Sequence, residues 1–111
     1  MNDYIRKYEM QIQNIQEIRL PRNAEILSII SQRNKIVLYA FIDYDIDESK
    51  ELFDYYRINL SREYAGNFTR KNYTFAGTLS LDEGFTVIHA FYRKIREDEI
   101  NPKHLINGDS T

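Results

Sequence analysis

Residues 36–42 form a run of seven consecutive apolar side chains, which constrains the fold more than any other feature of the chain. A polar turn over residues 31–34 precedes the run, and an acidic segment begins directly after it. A buried helix would usually be longer, whereas a strand covered on both faces has this length and composition. The run therefore predicts a strand that is buried on both faces of a sheet.

The rest of the chain repeats the strand signal. It holds fifteen isoleucines, nine tyrosines and six phenylalanines but only five alanines, and β-branched and aromatic side chains fit pleated surfaces better than helices. The connection Asp82-Glu83-Gly84 is short and ends in glycine, which is typical of a β-hairpin. Four further segments have the pattern of strands: residues 24–30, 52–60, 73–81 and 85–93.

The two ends of the chain are less regular. Segment 4–20 fits the period of a strand pair and that of a helix about equally, so both remain open. Residues 96–99 predict one short helical turn, which Pro102 would end. We expect an all-β fold, a single antiparallel sheet or a sandwich of six or seven strands. The β domain should cover residues 1–95, with a partly flexible extension over 96–111.

Charge and residue content exclude several classes of function. Seventeen acidic and fifteen basic residues give a formal net charge of -2, so the chain lacks the basic excess of a protein that binds duplex nucleic acid. The absence of cysteine excludes disulfides, zinc–thiolate sites and thiol nucleophiles. No stretch has the pattern of a signal peptide or a membrane span, so we expect a soluble intracellular protein without a membrane partner. Since no phosphate loop, dinucleotide turn or nucleophile elbow occurs, we expect neither a cofactor nor an enzyme.

The best candidate for a ligand site is the polar segment 57–73, which combines cations with aromatic rings. Arginine and lysine hold phosphate groups, aromatic faces stack bases, and a backbone nest at a glycine adds amide donors. This composition predicts binding of a nucleotide or another anionic small molecule, while a loop packed on the sheet is the structural alternative. The candidate ligand residues are Arg57, Arg62, Tyr64, Gly66, Phe68, Arg70, Lys71 and His89.

His89 lies in a strand of alternating pattern, and three roles are open for it. These are a structural hydrogen bond, a contact with a ligand, and catalysis. Because catalysis needs an acid–base partner that no motif supplies, a phosphodiesterase-like enzyme is the weakest hypothesis.

The acidic segment 43–51 raises a separate alternative. Asp43, Asp45 and Asp47 have the spacing of the first ligands of a calcium loop. Glu48 stands where such a loop needs glycine for its sharp turn. We therefore expect a solvated acidic connection and no metal site.

Three stretches resemble a family of small, mostly uncharacterised tailed-phage proteins. In segment 16–28 a strand ends in Leu-Pro and continues through alanine to Ile-Leu-Ser. Segment 38–43 is similar to the family's Leu-Trp-Ala-Leu-Val-Asp, and segment 75–91 is similar to its Gly-Thr, short turn and final His-x-Phe strand. The resemblance covers about residues 4–92 and implies a phage origin and a β-rich fold. It also implies two strands over segment 4–20.

The resemblance implies no established activity. Where members of the family have a Gly-Thr-Gly-His turn, this chain has segment 59–66, so an inherited ligand specificity is in doubt. We expect a non-enzymatic phage accessory protein that acts by binding in the cytoplasm of the infected bacterial host. One form would be a homo-oligomer that sequesters a nucleotide signal of host defence. The alternative is a structural or protein–protein interaction module that contacts a host protein and has no small ligand.

Overall fold

A computed structural model describes residues 4–43, 52–62 and 71–106, and these residues form seven strands. The strands are β1 (Tyr4–Met10), β2 (Ile15–Pro21), β3 (Glu25–Gln32), β4 (Lys35–Ile42), β5 (Phe53–Ser61), β6 (Thr74–Leu81) and β7 (Thr86–Ile95). This confirms the predicted all-β fold, and a 3₁₀ turn at Glu97–Glu99 confirms the predicted helical turn. Within the described residues, no helix has the length and apolar character needed to span a membrane.

The strands form two antiparallel sheets. Sheet A has the order β1-β4-β3, and sheet B has the order β2-β5-β7-β6. Segment 4–20 is thus two strands, as the resemblance implied, but β1 and β2 belong to different sheets. The side chain of Gln16 supports the corner between them. Its amide oxygen accepts the N–H of Gln11 at 2.9 Å, and its amide nitrogen donates to the Gln11 carbonyl at 2.7 Å.

The core lies between the two sheets. Alternate residues of each strand point inward, and in β4 the inward residues Ile36 and Leu38 are fully buried. On the outer side of β4, Val37 is buried but Tyr39 and Phe41 are partly exposed. The prediction that this strand is buried on both faces is therefore wrong for its second half. The physical reason is that none of the described elements forms a layer over the outer face of sheet A.

Backbone contacts close the sandwich along β3 and β6. A Cβ atom at Gly77 would lie 2.7 Å from the carbonyl oxygen of Ile29, so only glycine allows the two strands to approach this closely. At one end, Oδ1 of Asn34 accepts the backbone N–H of Asp82 at 2.8 Å and joins the β3–β4 turn to the β6–β7 connection. The predicted hairpin across residues 82–84 is confirmed, with all three residues at positive φ.

The C-terminal residues cover part of the free edge of sheet B. The backbone N–H of Glu17 in β2 donates to His104, and its carbonyl accepts from Ile106, both at 2.8 Å. This is an isolated parallel bridge between Glu17 and Leu105. Ile106 is buried in the core. We call residues 97–106 the C-terminal strap, and they are packed onto the sandwich.

Candidate functional site

The outer face of sheet B carries the predicted ligand residues that the structure describes. Arg57 and His89 alternate with core residues of β5 and β7, so their side chains point outward. Arg62 follows the end of β5, and Lys71 precedes the start of β6, on the two sides of β7. The structure therefore brings Arg57 and His89 to one face, whereas Arg62 lies at the His89 end of sheet B and Lys71 at the opposite end, because β5 and β6 run in the same direction. The remaining predicted ligand residues lie outside the described residues: Tyr64, Gly66, Phe68 and Arg70.

His89 is held by a hydroxyl group. Its Nδ1 lies 2.9 Å from Oγ1 of Thr78, and the strand register places Thr78 on one side of it and Ser61 on the other. Among the described residues, no carboxylate forms a hydrogen bond with the ring. The contact with Thr78 therefore orients the imidazole for hydrogen bonding.

Arg57 is bound to a buried carboxylate. Its Nη2 and Nε lie 2.9 and 3.0 Å from Oε2 of Glu17, its partner across the β2–β5 register. Glu17 is 0 % exposed, and its other oxygen accepts the backbone N–H of Asn101. Partial burial acts to lower the pKa of Arg57, but the hydrogen bond and charge of Glu17 outweigh it and raise the pKa above its usual value. An anionic ligand would have to share Arg57 with Glu17.

A second arginine, Arg93 of β7, is the register partner of Arg57. Like charges opposite each other destabilise a sheet, and the C-terminal strap relieves the repulsion. The carboxylate of Glu99 lies 3.4 Å from Nη2 of Arg93. The backbone carbonyl of Glu99 accepts a hydrogen bond from Nη2 of Arg57 at 3.0 Å. The backbone N–H of Arg96, followed by the charges of Arg93 and Arg96, lowers the pKa of Glu99. The Arg93 guanidinium also lies over the ring of Tyr73, 5.6 Å from its centroid.

The strand register groups the outer residues of sheet B into rows that cross the strands: the His89 row (Ser61, His89, Thr78), the Phe75 row (Asn59, Phe91, Phe75) and the Arg93 row (Arg57, Arg93). The Phe75 row, which lies between the other two, contains an aromatic pair. Phe75 and Phe91 are register partners whose rings pack edge to face with centroids 5.4 Å apart. Phe91 is buried, whereas Phe75 is 52 % exposed. On the other side of Phe91, Oδ1 of Asn59 is buried and has no hydrogen-bond partner among the described residues. This row offers a surface on which a flat ring can stack.

The metal-binding candidates are mostly outside the described residues. Asp43, at the end of β4, is described, whereas Asp45 and Asp47 are not. Within residues 4–43, 52–62 and 71–106, no three His, Asp or Glu side chains are grouped so that they could hold a metal ion. The expected acidic connection and its calcium alternative both lie mostly outside the described residues, so neither is tested.

Sequence reasoning missed the groups that neutralise the arginines. Glu17 stands in a strand beside apolar residues, where alternation indicates a solvent-facing side chain. Its partner Arg57 is 40 positions away, and only the register of β2 on β5 shows that the two meet. Glu99 was placed in a helical turn, but no local pattern indicates that this turn folds back over Arg93.

Comparison with known proteins gives one match. A family model described as "Domain of unknown function (DUF7352)" matches residues 1–101, a span that includes all seven strands. No curated protein and no solved structure matches the chain. The match fixes membership without assigning an activity.

Proposed function

The chain belongs to the family of domains of unknown function DUF7352, and we propose that it is a non-enzymatic protein that binds a small anion with an aromatic ring, such as a nucleotide. The observation that carries the proposal is the exposed ring of Phe75 on the outer face of sheet B. This ring lies between the His89 row and the Arg93 row. Arg62 lies at the His89 end of this face and Lys71 at the Arg93 end, since one follows β5 and the other precedes β6.

Each of these groups suits one part of such a ligand. A base that stacks on Phe75 would gain about 1–3 kcal/mol. Because Thr78 holds Nδ1 of His89, the other ring nitrogen is left to bond the ligand. Arg62 at the His89 end, or Lys71 at the Arg93 end, would supply positive charge for a phosphate group. The described residues offer His89 no carboxylate for proton transfer, which favours binding over turnover.

Titration calorimetry with a panel of mono-, di- and cyclic dinucleotides would test the proposal. We expect Phe75→Ser to weaken the best ligand at least about tenfold, which corresponds to about 1.4 kcal/mol. The double variant Arg62→Glu with Lys71→Glu should weaken it further and reduce its salt dependence, since the positive charge at both ends of the face becomes negative.

Phe85→Ser is the matched control because it removes another exposed ring from the same hairpin. Phe85 is 90 % exposed at the β6–β7 connection, outside the Phe75 row, and its loss should leave nucleotide affinity unchanged. If Phe75→Ser and the charge-reversal variant both bind as the wild-type protein does, the proposed site is wrong.

The resemblance to small tailed-phage proteins supports a more specific form of the proposal. In this form, the protein is a homo-oligomer in the cytoplasm of the infected host and sequesters a nucleotide signal of host defence. Native mass spectrometry of protein purified from cells that make such a signal would report subunit number and retained ligand together. A monomer without added mass would contradict this form.

A protein-interaction module remains the second candidate, and a different observation favours it. Phe85 and Val87 are 90 % and 46 % exposed at and beside the β6–β7 connection, and exposed apolar side chains that lie together often mark a protein contact. This reading expects a host protein to bind the wild-type protein and to be lost in Phe85→Ser. It expects the same complex to survive Arg62→Glu.

A further inference from the structure

The outer face of sheet A holds a cavity on the opposite side of the sandwich from the Phe75 row. Its volume is about 300 Å³. Val37 is only 6 % exposed and provides an apolar floor. Polar and charged side chains form the rest of the lining: Lys7, Glu9, Gln32, Arg33 and Lys35.

The charges around this cavity do not balance. Lys35 pairs with Glu9 at 3.0 Å. Lys7 and Arg33 have no ion pair with any side chain in residues 4–43, 52–62 and 71–106. Three cations therefore face one carboxylate, in a chain whose formal net charge is -2. An anion entering the cavity would meet two positive charges that form no ion pair within the described part of the chain.

Arg33 occupies a backbone position that its side chain disfavours. It lies at φ 53, followed by Asn34 at φ 61, in the two-residue turn between β3 and β4. Glycine, asparagine and aspartate are the residues preferred in such turns. The bond from Asp82 to Asn34 fixes the turn, so Arg33 is held at the rim of the cavity. Backbone strain that the surrounding structure maintains is a reason to examine a residue for function.

We propose that this cavity binds a phosphate-bearing anion, with Arg33 and Lys7 as its main ligands and Lys35 as a third. Arginine presents parallel N–H donors that match phosphate oxygens, and lysine adds a compact charge. The ring of Tyr39, whose hydroxyl donates to Gln32 at 3.0 Å, lies beside Lys7 on the same face. A base attached to the phosphate would reach this ring. The inference does not depend on the nucleotide site proposed for sheet B.

Titration of the full chain with inorganic pyrophosphate, at about 50 mM and 200 mM salt, tests the cavity directly. We expect saturable binding that weakens as the salt concentration rises. Arg33→Gly should weaken it at least tenfold while the thermal midpoint stays equal or rises, because glycine removes both the charge and the strain at positive φ. A purely structural role for Arg33 would lower the midpoint instead. Lys7→Glu should weaken binding by a similar factor.

Arg22→Glu is the matched control, because it reverses an exposed cation at the β2–β3 connection, outside both proposed sites, and it should bind pyrophosphate as the wild-type protein does. The sheet B double variant Arg62→Glu with Lys71→Glu is titrated beside it, so that binding at sheet B is recognised separately. The inference is overturned by any of three results. The first is that pyrophosphate does not bind to the wild-type protein. The second is that Arg33→Gly and Lys7→Glu bind pyrophosphate as tightly as the wild-type protein does. The third is that binding is lost only in the sheet B double variant. A Lys7→Glu variant that changes the oligomeric state in light scattering would also overturn it, since a second copy would then cover the cavity.

A titration with ADP separates the two sources of the phosphate group. If ADP binds more tightly than pyrophosphate and Tyr39→Leu removes the difference, the cavity takes a nucleotide. If the two affinities are equal and Tyr39→Leu has no effect, it takes free phosphate compounds. Either result supports the anion site and identifies its ligand class.

Discussion

The two outer faces of the sandwich differ in how far their cations are paired with carboxylates. On sheet B, Arg57 and Arg93 are register partners, and Glu17 and Glu99 neutralise them. On sheet A, the cations that line the 300 Å³ cavity have only one carboxylate between them in the described part of the chain. The difference follows from Glu17, which β2 places beside Arg57, and from the C-terminal strap, which brings Glu99 to sheet B.

The comparison shows that neighbours across the strands decide what a charged residue does. Arg57 belongs to the segment with the clearest ligand composition, yet it is bound to a fully buried carboxylate. A buried ion pair is costly to break because the remaining charge has no water to replace its partner. An exposed pair such as Lys35 with Glu9 is screened by solvent and salt. The predictions below test this contrast.

Glu17→Ala should have the largest effect. It removes the carboxylate that pairs with Arg57 and holds Asn101. Breaking a buried pair costs about 3–5 kcal/mol, and we expect the lower end of this range because the Arg57 side chain left behind is 23 % exposed. Urea denaturation should show this decrease in the free energy of unfolding. Glu9→Ala, which breaks the exposed pair on sheet A, should cost about 0–1 kcal/mol. Equal effects of the two substitutions would remove the distinction between the faces.

Ile106→Ala should be second in size, because it tests whether the C-terminal strap is part of the core. Ile106 is 7 % exposed, and truncation of a buried isoleucine costs about 2–5 kcal/mol. Its neighbour Leu105 is 41 % exposed, so Leu105→Ala should cost less than about 1 kcal/mol. Thermal denaturation of the two variants checks the difference. Similar midpoints for both would show that the strap adds little to stability.

Tyr56→Phe should have a smaller effect that depends on pH. The hydroxyl of Tyr56 donates to the Ala24 carbonyl at 3.2 Å, and burial, followed by the charge of Asp54, raises the pKa of Tyr56 above 10.0. The neutral form is favoured in the folded protein, so this stabilisation is complete below pH 10.0 and is lost as the pH rises through the folded pKa. Tyr56→Phe should cost about 1 kcal/mol at neutral pH.

The same substitution should flatten the decrease in stability above pH 10.0, which urea denaturation at several alkaline pH values would measure. Tyr39→Phe is the control from sheet A and should keep the alkaline decrease of the wild-type protein. An unchanged decrease in Tyr56→Phe would assign it to another group.

Glu99→Gln should have the smallest effect and the opposite pH dependence. A hydrogen bond from the backbone of Arg96 and the nearby arginine charges lower the pKa of Glu99. The stabilisation is therefore present above its unfolded value of 4.5 and is lost as the pH falls through the folded pKa. The variant should be less stable than the wild-type protein at pH 7, and the difference should shrink in acid. Glu97→Gln, in the same turn, is the control at pH 7 and should leave the stability unchanged, because its side chain forms no ion pair with the described residues.

The strands could be predicted from the sequence because each carries its own signal. The apolar run 36–42 and the connection 82–84 identify β4 and the last hairpin from a few neighbouring residues. The sequence does not show that β1 and β2 separate into two sheets, since the period-two pattern is the same in either arrangement. That separation depends on long-range packing and on the corner that Gln16 supports.

The candidate site was predictable only in part, for a related reason. Arg57 and His89 were identified by residue type, and alternation places both on the outer face. Glu17 and Arg93 were not identified, because their contacts with Arg57 depend on the register across three strands. Arg33 was assigned to a polar turn, and its left-handed backbone appears only in the structure. Residue composition therefore identifies a candidate ligand segment, while the strand register determines which of its charged side chains are already paired within the protein and which could bind a ligand.

The contact between Glu17 and the C-terminal strap also sets an order of events during synthesis. Glu17 and Asn101 are 84 positions apart, and contacts of such separation form late because a long loop must close first. While the chain emerges from the ribosome, β2 can pair with β5 long before its outer edge is covered. The open edge is a template for pairing with other chains. Chains that stop before residue 106 should therefore aggregate more readily than chains that include the C-terminal strap.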